Sequence, residues 1–301
     1  MICRRIGDVQ QREYGVAVRS VRYHVISFAQ ITRYTNSVYA AIYTLVGAFL
    51  SGGIAAVQAP SIWGAATVVG LVVAYGFVIN DYVDVTVDRY GKPHRPIPAG
   101  RITRSTALWL ALALAGVALT LAASLGPTLG MFALGTTLLA TFYSFALKGT
   151  VLWGNACMAL LIATIALYGG LAGGDVTPLV WVVAGLMWLF DFSHEILKTT
   201  ADWAGDGRAG LRTVATAFGV TGALRIFQGA GLLFIGVALL PWLMGLAGAT
   251  YLLALLPCAI LPTVVVIGLL ARSSDDATIT LALKIMRYMW ISNLVPILLM
   301  N

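Results

Sequence analysis

Two short acidic runs carry the side chains in this sequence that are best suited to chemistry. The first run contains Asn80, Asp84 and Asp88, and the second contains Asp202 and Asp206. Residues four positions apart share one face of a helix, so each run predicts a stack of oxygen ligands. Neighbouring carboxylates in such a stack repel by about 0.2–0.5 kcal/mol per pair even on an exposed helix. A bound cation would offset that repulsion.

Mg²⁺ is the cation that these ligands favour. It takes oxygen ligands, usually uses one or two carboxylates, and completes its shell with water and substrate phosphates. Neither run is followed by the glycine and terminal glutamate of a dedicated calcium loop. A single acid at a helix end is more often simply solvated. Two clusters of the same spacing favour Mg²⁺ ions that bridge to a diphosphate.

Basic residues surround both acidic runs. They are Lys92, Arg95 and Arg101 after the first run, Lys198 before the second, and Arg208 and Arg212 after it. Lys and Arg bind phosphate oxygens through charge-assisted hydrogen bonds. Each residue alone is more typical of a membrane anchor, but the group predicts ligands for a diphosphate.

A second ionisable group lies within an apolar segment. Asp191 and Glu195 are one helical turn apart, with His194 between them and Lys198 one turn further on. Ionisable residues at membrane depth are costly and usually line a cavity. We expect Asp191, Glu195 and Lys198 to orient an acceptor molecule or to receive its proton. The alternative is a hydrogen-bonded pair that only packs helices together.

Membrane-spanning helices are the elements that must position these residues. The 301-residue chain is 59% hydrophobic and 10% charged, whereas soluble proteins carry about 25% charged residues. A backbone in lipid must satisfy its own hydrogen bonds, so apolar stretches of about 20 residues predict helices. We predict an all-α, polytopic bundle of nine such helices, at roughly 37–57, 62–81, 105–124, 128–147, 150–172, 178–199, 221–240, 245–270 and 279–300.

The basic residues predict the orientation of the bundle. With a cytoplasmic N-terminus, all 19 Lys and Arg residues fall on or near the cytoplasmic side, and the opposite turns hold one charge, Asp175. Cytoplasmic loops are enriched in Lys and Arg. The net charge of +7 therefore indicates membrane orientation and not nucleic-acid binding. We predict a basic cytoplasmic arm at 1–36, one membrane domain at 37–301, and a site at the cytoplasmic face.

The acidic runs recur in equivalent places. Each opens a polar loop, 82–104 or 200–220, and each loop follows an even-numbered predicted helix. The runs are therefore four helices apart on the same side of the membrane. This pattern is typical of a parallel internal repeat with a site between its two halves.

Larger patterns around these residues resemble the UbiA superfamily of intramembrane prenyltransferases. The resemblance rests on the NDxxDxxxD pattern at 80–88, the segment 92–100 with sequence KPHRPIPAG, and the DxxxD pattern at 202–206. It covers nearly the whole chain and is supported by Arg33, Asn36, Tyr143, Ser144, Lys148, Gly154, Asn155 and the segment 210–213.

The resemblance implies Mg²⁺-dependent transfer of a prenyl group, within the bilayer, from an allylic diphosphate to a lipophilic acceptor. It implies that the metal and diphosphate bind at Asn80, Asp84, Asp88, Asp202 and Asp206. Asn36, Arg95, Lys148 and Lys198 are then candidates to contact the diphosphate, in addition to Arg208.

The acceptor class remains open at this point. The segment 195–198 and the proline-rich loop resemble the geranylgeranylglyceryl-phosphate, homogentisate and chlorophyllide branches of the superfamily. However, Thr199 stands where the glycerophosphate branch commonly has Asp, and His194 where it has Arg. We therefore expect either an aromatic or a glycerophosphate-type acceptor. A terpene cyclase would use the same diphosphate site, whereas a transporter site would lie nearer the membrane midplane.

Overall fold

The structure, a computed structural model, describes residues 25–300, which form helices joined by short non-helical connections and contain no strands. Most of the predicted basic arm, residues 1–24, lies outside the described residues, as does residue 301. The nine predicted spans are confirmed within the described part of the chain. They are Tyr34–Gln58, Pro60–Val83, Arg104–Leu125, Pro127–Leu147, Trp153–Gly173, Pro178–Ala201, Val214–Leu243, Ala249–Arg272 and Asp276–Leu298.

The seventh spanning helix begins earlier than its apolar stretch indicated. It starts at Val214 and not near residue 221, because Thr213 caps it in a reciprocal pair with Thr216. Gly219 then bends the chain with φ of 72°, a conformation that glycine adopts without steric cost. This bend separates the capped first turn from the long apolar segment that crosses the membrane.

The sixth spanning helix, Pro178–Ala201, is the most buried of the nine and packs against the fifth and the seventh. The third, Arg104–Leu125, is the least buried and packs mainly against the second and fourth. The second and sixth helices carry the acidic runs at their ends.

Glycines bring the first and fifth spanning helices into backbone contact. A Cβ atom on Gly173 would lie 2.8 Å from Ala48 Cα, and one on Gly169 would collide with the Thr44 carbonyl group. Small residues that allow such an approach are typical of helix pairs in membranes, where apolar burial alone does not drive association. This contact fixes the first helix, whose start lies beside the acidic residues, against the remainder of the bundle.

Two short helices follow the spanning helices that carry the acidic runs. Val85–Gly91 follows the second spanning helix and Trp203–Arg208 follows the sixth. Each begins a polar connection, so both acidic runs lie at the same end of the bundle.

Candidate metal and diphosphate site

Asp84 of the first run and Asp202 of the second run occupy equivalent positions. Asp84 has φ −78° and ψ 0°, and Asp202 has φ −86° and ψ 3°. Each lies at the break between a spanning helix and the short helix that follows. This region of backbone conformation is sparsely populated in general and is frequent at active sites. A helix that extended through each acidic run would therefore be interrupted at Asp84 in the first half and at Asp202 in the second.

The four-residue spacing survives this interruption. The amide of Asp84 donates to the Asn80 carbonyl at 2.9 Å, and that of Asp88 donates to the Asp84 carbonyl at 2.8 Å. In the second run, the amide of Asp206 donates to the Asp202 carbonyl at 2.9 Å. The i to i+4 backbone bonds therefore continue up to and beyond the residue at the break, so the helical four-residue spacing is kept.

The acids of the first run are buried and paired with basic side chains. Asp84 is 7% exposed and Asp88 is 5% exposed. Lys148 Nζ contacts the Asp84 carboxylate and lies 3.0 Å from Asn80 Oδ1. Arg95 Nη1 lies 2.6 Å from Asp88 Oδ2. Lys148 directly follows a π-helical turn, Tyr143–Leu147, a feature that is frequent at functional sites.

Asp81 is a further acid of this site that the four-residue spacing did not select. It is 3% exposed, and its Oδ1 accepts hydrogen bonds from Arg95 Nη1 at 3.0 Å and from Arg33 Nη2 at 3.2 Å. Arg33 has φ of 45°, which is uncommon for a residue with a side chain. The sequence does show Asp81 as a third acid in the first run, next to Asn80, and this could have identified it as a residue of the site.

The two halves meet through an ion pair between their loops. Lys92 Nζ, which follows the first acidic run, lies 3.0 Å from Asp202 Oδ2 in the second run. Lys148, which contacts Asp84, is also close enough to act electrostatically on Asp206. Side chains of both acidic runs therefore surround one charged region.

The electrostatics of this region suit a divalent cation. Burial, followed by the negative charge of Asp202, raises the pKa of Asp206 to about 6. Burial is also the largest cause that raises the pKa of Asp88, where Arg95 opposes it and Asp81 adds to it. A nearby cation favours the ionised form of such acids. The side chains of this region offer carboxylate and amide oxygens as metal ligands, and Mg²⁺ prefers oxygen ligands.

Deeper in the sixth spanning helix, the predicted ionisable group forms a compact cluster. One ligand atom each of Asp191, His194 and Glu195 lies within 4.8 Å of the others. Glu195 Oε1 accepts a hydrogen bond from Lys198 Nζ at 2.5 Å. In the described part of the chain, the buried Asp191 Oδ2 atom has no hydrogen-bond partner. The cluster therefore keeps one unsatisfied acceptor in the helix that ends at the second acidic run.

Three predicted diphosphate ligands make no direct side-chain contact with the acidic runs in the part of the chain that the structure describes: Lys198, whose ion pair is with Glu195, Asn36 and Arg208. Asn36 is exposed and contacts Thr35, at 3.4 Å. Arg208 is also exposed, and its Nε donates to the Ala204 carbonyl at 3.1 Å. Within residues 25–300, no hydrogen bond or ion pair links any of these three side chains to an acidic run.

A family model and individual known proteins both match this chain over most of its length. Residues 40–294 match the model of the UbiA prenyltransferase family. The chain is 34% identical over 236 residues to a digeranylgeranylglyceryl phosphate synthase of Methanopyrus kandleri, covering 77% of this chain and 84% of that protein. It is 37% identical over 254 residues to the enzyme of that name from Halobacterium salinarum, covering 82% of this chain and 87% of that protein.

Solved structures share the fold. A structure of digeranylgeranylglyceryl phosphate synthase in membranes aligns with a TM-score of 0.74 and 24% identity, covering 91% of this chain and 97% of that one. A UbiA homolog from Archaeoglobus fulgidus bound to GPP and Mg²⁺ aligns with a TM-score of 0.67 and 18% identity, covering 90% of this chain and 99% of that one.

Proposed function

This chain belongs to the UbiA prenyltransferase family, and we propose that it transfers a prenyl group from an allylic diphosphate to a glyceryl phosphate lipid, with Mg²⁺ as its cofactor. It is an integral, multi-pass membrane prenyltransferase. The strongest structural support for the proposed site is the Lys92–Asp202 ion pair, which joins the loops of the two acidic runs.

The acceptor is proposed from the relatives and from the sixth spanning helix. The relatives are named for a glyceryl phosphate product that carries two geranylgeranyl groups. An aromatic acceptor is the second candidate, because His194 and Thr199 depart from the pattern of the glycerophosphate branch. Both acceptors require a group that removes a proton, and the Asp191–Glu195 pair supplies carboxylates for this purpose.

Asn80, Asp84, Asp88, Asp202 and Asp206 would hold Mg²⁺ together with the substrate diphosphate. When bound, Mg²⁺ supplies positive charge to the phosphate oxygens and so stabilises the leaving diphosphate. Asp84 and Asp88 pair with Lys148 and Arg95 in the described structure. If these acids held the metal, Lys148 and Arg95 would be available to donate hydrogen bonds to phosphate oxygens.

The transfer then exchanges one C–O bond for another. The bond between the allylic carbon and the diphosphate oxygen breaks, and its electron pair leaves with the diphosphate. The acceptor hydroxyl oxygen bonds to the allylic carbon and loses its proton to Asp191 or Glu195. The unsatisfied, buried Asp191 Oδ2 atom supports a hydrogen bond to that hydroxyl group, while Lys198 orients Glu195.

The site is proposed to open to the cytoplasmic side. Lys92, Arg95, Lys148 and Lys198 all lie at the end of the bundle that carries the acidic runs, and cytoplasmic ends of spanning helices are enriched in Lys and Arg. The start of the first spanning helix at Tyr34 then lies on the same side, since two spans separate it from the first acidic run. A prenyl chain can stay in the bilayer while its diphosphate remains near water.

Product analysis tests this function. The full chain, reconstituted in liposomes with Mg²⁺, is given prenyl diphosphates of several lengths and one acceptor at a time: a prenylated glyceryl phosphate, homogentisate or 4-hydroxybenzoate. Mass spectrometry should show a glyceryl phosphate that has gained one prenyl group. The same reaction without acceptor is the control for hydrolysis and cyclisation.

The outcomes separate the alternatives. Prenylation of an aromatic acceptor alone would overturn the glyceryl phosphate proposal and leave prenyl transfer intact. A cyclic hydrocarbon formed from the donor alone would identify a terpene cyclase. If the prenyl diphosphate is consumed in every reaction and free prenol is the only product, prenyl transfer to either class of acceptor is contradicted.

A further inference from the structure

A separate groove lies beside the first short helix. Its volume is about 400 Å³. It borders the face of that helix formed by Val85, Thr86 and Arg89, whereas Asp84 and Asp88 lie on the face directed to the proposed active site. Its remaining lining comes from the start of the third spanning helix and the loop before it, at Ile97, Gly100, Ile102, Thr103 and Arg104.

The groove has an apolar floor and a cationic rim. Val85, Ile97 and Ile102 are buried and belong to one apolar cluster, whereas the side chains of Arg89 and Arg104 are exposed. Within residues 25–300 neither arginine has an acidic partner, and Arg104 instead lies 4.4 Å above the Tyr82 ring. By contrast, the nearby Arg95 is held between two carboxylates.

Further features of the rim also suit an anion. Thr86 lines the groove, and a threonine hydroxyl group can donate to a phosphate oxygen. Thr103 caps the 22-residue third spanning helix, whose N-terminus carries a partial positive charge. Two arginines without an acidic partner among the described residues therefore line the same groove as Thr86 and the start of a spanning helix.

The position of the groove indicates where its ligand comes from. Tyr82 is in the last turn of the second spanning helix, and Arg104 is the first residue of the third. Both residues therefore lie where helices leave the hydrocarbon core, which is the level of the lipid headgroups. An apolar floor below two cations at this depth matches a phospholipid, whose glycerol and acyl groups adjoin its phosphate.

We propose that this groove binds the phosphate group of an anionic membrane phospholipid. The phosphate bridges Arg89 on the short helix and Arg104 on the third spanning helix. These residues flank the loop that carries Lys92 and Arg95, so the lipid fastens both ends of that loop. The proposal concerns lipid binding and does not depend on the reaction proposed above.

Lipid binding to the full chain in nanodiscs tests this proposal. Discs of phosphatidylcholine receive increasing fractions of phosphatidylglycerol, and native mass spectrometry counts the lipids that remain bound after release. We expect Arg89→Gln/Arg104→Gln to weaken retention of phosphatidylglycerol roughly 30-fold, because each arginine near an anionic headgroup contributes about a factor of five. Retention of phosphatidylcholine should not change.

The matched control is Arg225→Gln/Arg272→Gln. These two arginines are also exposed, and neither has an ion pair within the described residues, but they do not line the groove. We expect wild-type retention from this control. Thermal unfolding in phosphatidylcholine discs checks that both variants fold. If the double variant does not fold, Arg89→Gln alone should weaken retention by about fivefold.

Three results would overturn the proposal. The first is undiminished phosphatidylglycerol retention in the groove variants. The second is an equal loss in the control, which would mean that the lipid responds to general surface charge. The third is release of bound lipid by millimolar inorganic phosphate, which would identify the groove as a site for free phosphate.

Discussion

Asp84→Asn is the substitution that most directly tests the proposed metal site. The Asp84 carboxylate is buried, contacts Lys148, and lies at the break between the second spanning helix and the short helix that follows. Asparagine keeps the size of the side chain and removes its negative charge. The change therefore leaves packing intact and deprives the site of one central ligand.

Two effects of this change can be distinguished by magnitude. Loss of a main electrostatic stabiliser of a transition state costs roughly 100- to 1000-fold in turnover, or about 3–4 kcal/mol. Removal of one partner from a fully buried ion pair typically destabilises a fold by about 3–5 kcal/mol. Loss of the acidic partner of Lys148 should destabilise this protein by less, because about a third of the lysine side chain is exposed. The protein should stay folded while its turnover falls at least about a hundredfold.

The assay follows transfer of a radiolabelled prenyl group at saturating donor while Mg²⁺ is varied. Asp84→Asn should lower the maximal rate and raise the Mg²⁺ concentration needed for half of it. Asp175→Asn is the control, since Asp175 is an exposed acid in the connection between the fifth and sixth spanning helices. Its substitution should change the free energy of unfolding by less than about 0.5 kcal/mol, as is usual at the surface, and leave the maximal rate and the Mg²⁺ dependence as in wild type.

A folded Asp84→Asn enzyme with a rate within about threefold of wild type would refute the metal-site assignment, since threefold corresponds to only about 0.7 kcal/mol. An equal loss in Asp175→Asn would also refute it, because the effect would then follow total charge and not position. Thermal unfolding of each purified variant establishes that the compared enzymes are folded.

Three further predictions follow from the site and the fold. Asp202→Asn should lower turnover by roughly a hundredfold or more in the same assay, because Asp202 occupies the position in the second half that Asp84 occupies in the first. EDTA should abolish activity and Mg²⁺ restore it, whereas Ca²⁺ should restore little because it prefers more ligands at longer distances; full activity in EDTA would contradict the metal requirement. Gly169→Ala should destabilise the protein by roughly 1–3 kcal/mol, because its Cβ would collide with the Thr44 carbonyl group. Gly116→Ala, where space is open, is the control, and equal melting temperatures for the two variants would contradict this packing.

The sequence predicted the spanning helices well because the bilayer imposes their length and requires their backbone bonds to be internal. It located their ends less well where a polar cap or a bend decides the boundary. The seventh helix is the clearest case. Thr213 and Thr216 start it before the apolar stretch, and the hydrophobic pattern contains no signal for this cap.

The sequence also selected acids that lie at one end of the bundle, but not all of their partners. Four-residue spacing identifies residues on one helix face, so it found Asp84 and Asp88 and omitted Asp81. The pairing of Asp81 with Arg33 depends on the left-handed backbone of Arg33. Contacts of this kind join residues that are distant in the sequence, and local spacing cannot predict them.

The charges of the site constrain how a metal ion can enter it. Asp81, Asp84, Asp88 and Asp202 each contact a basic side chain in the described structure. A metal ion alone would have to displace these basic side chains from the acids. The basic side chains would then be partly buried without acidic partners, and breaking such ion pairs is costly. A diphosphate alone would approach a cluster of carboxylates. A metal ion and a diphosphate that arrived together would compensate both sets, because the acids could hold the metal while the basic groups donated to the phosphate oxygens. The same ion pairs that neutralise the site without ligands therefore favour binding of the two as one complex.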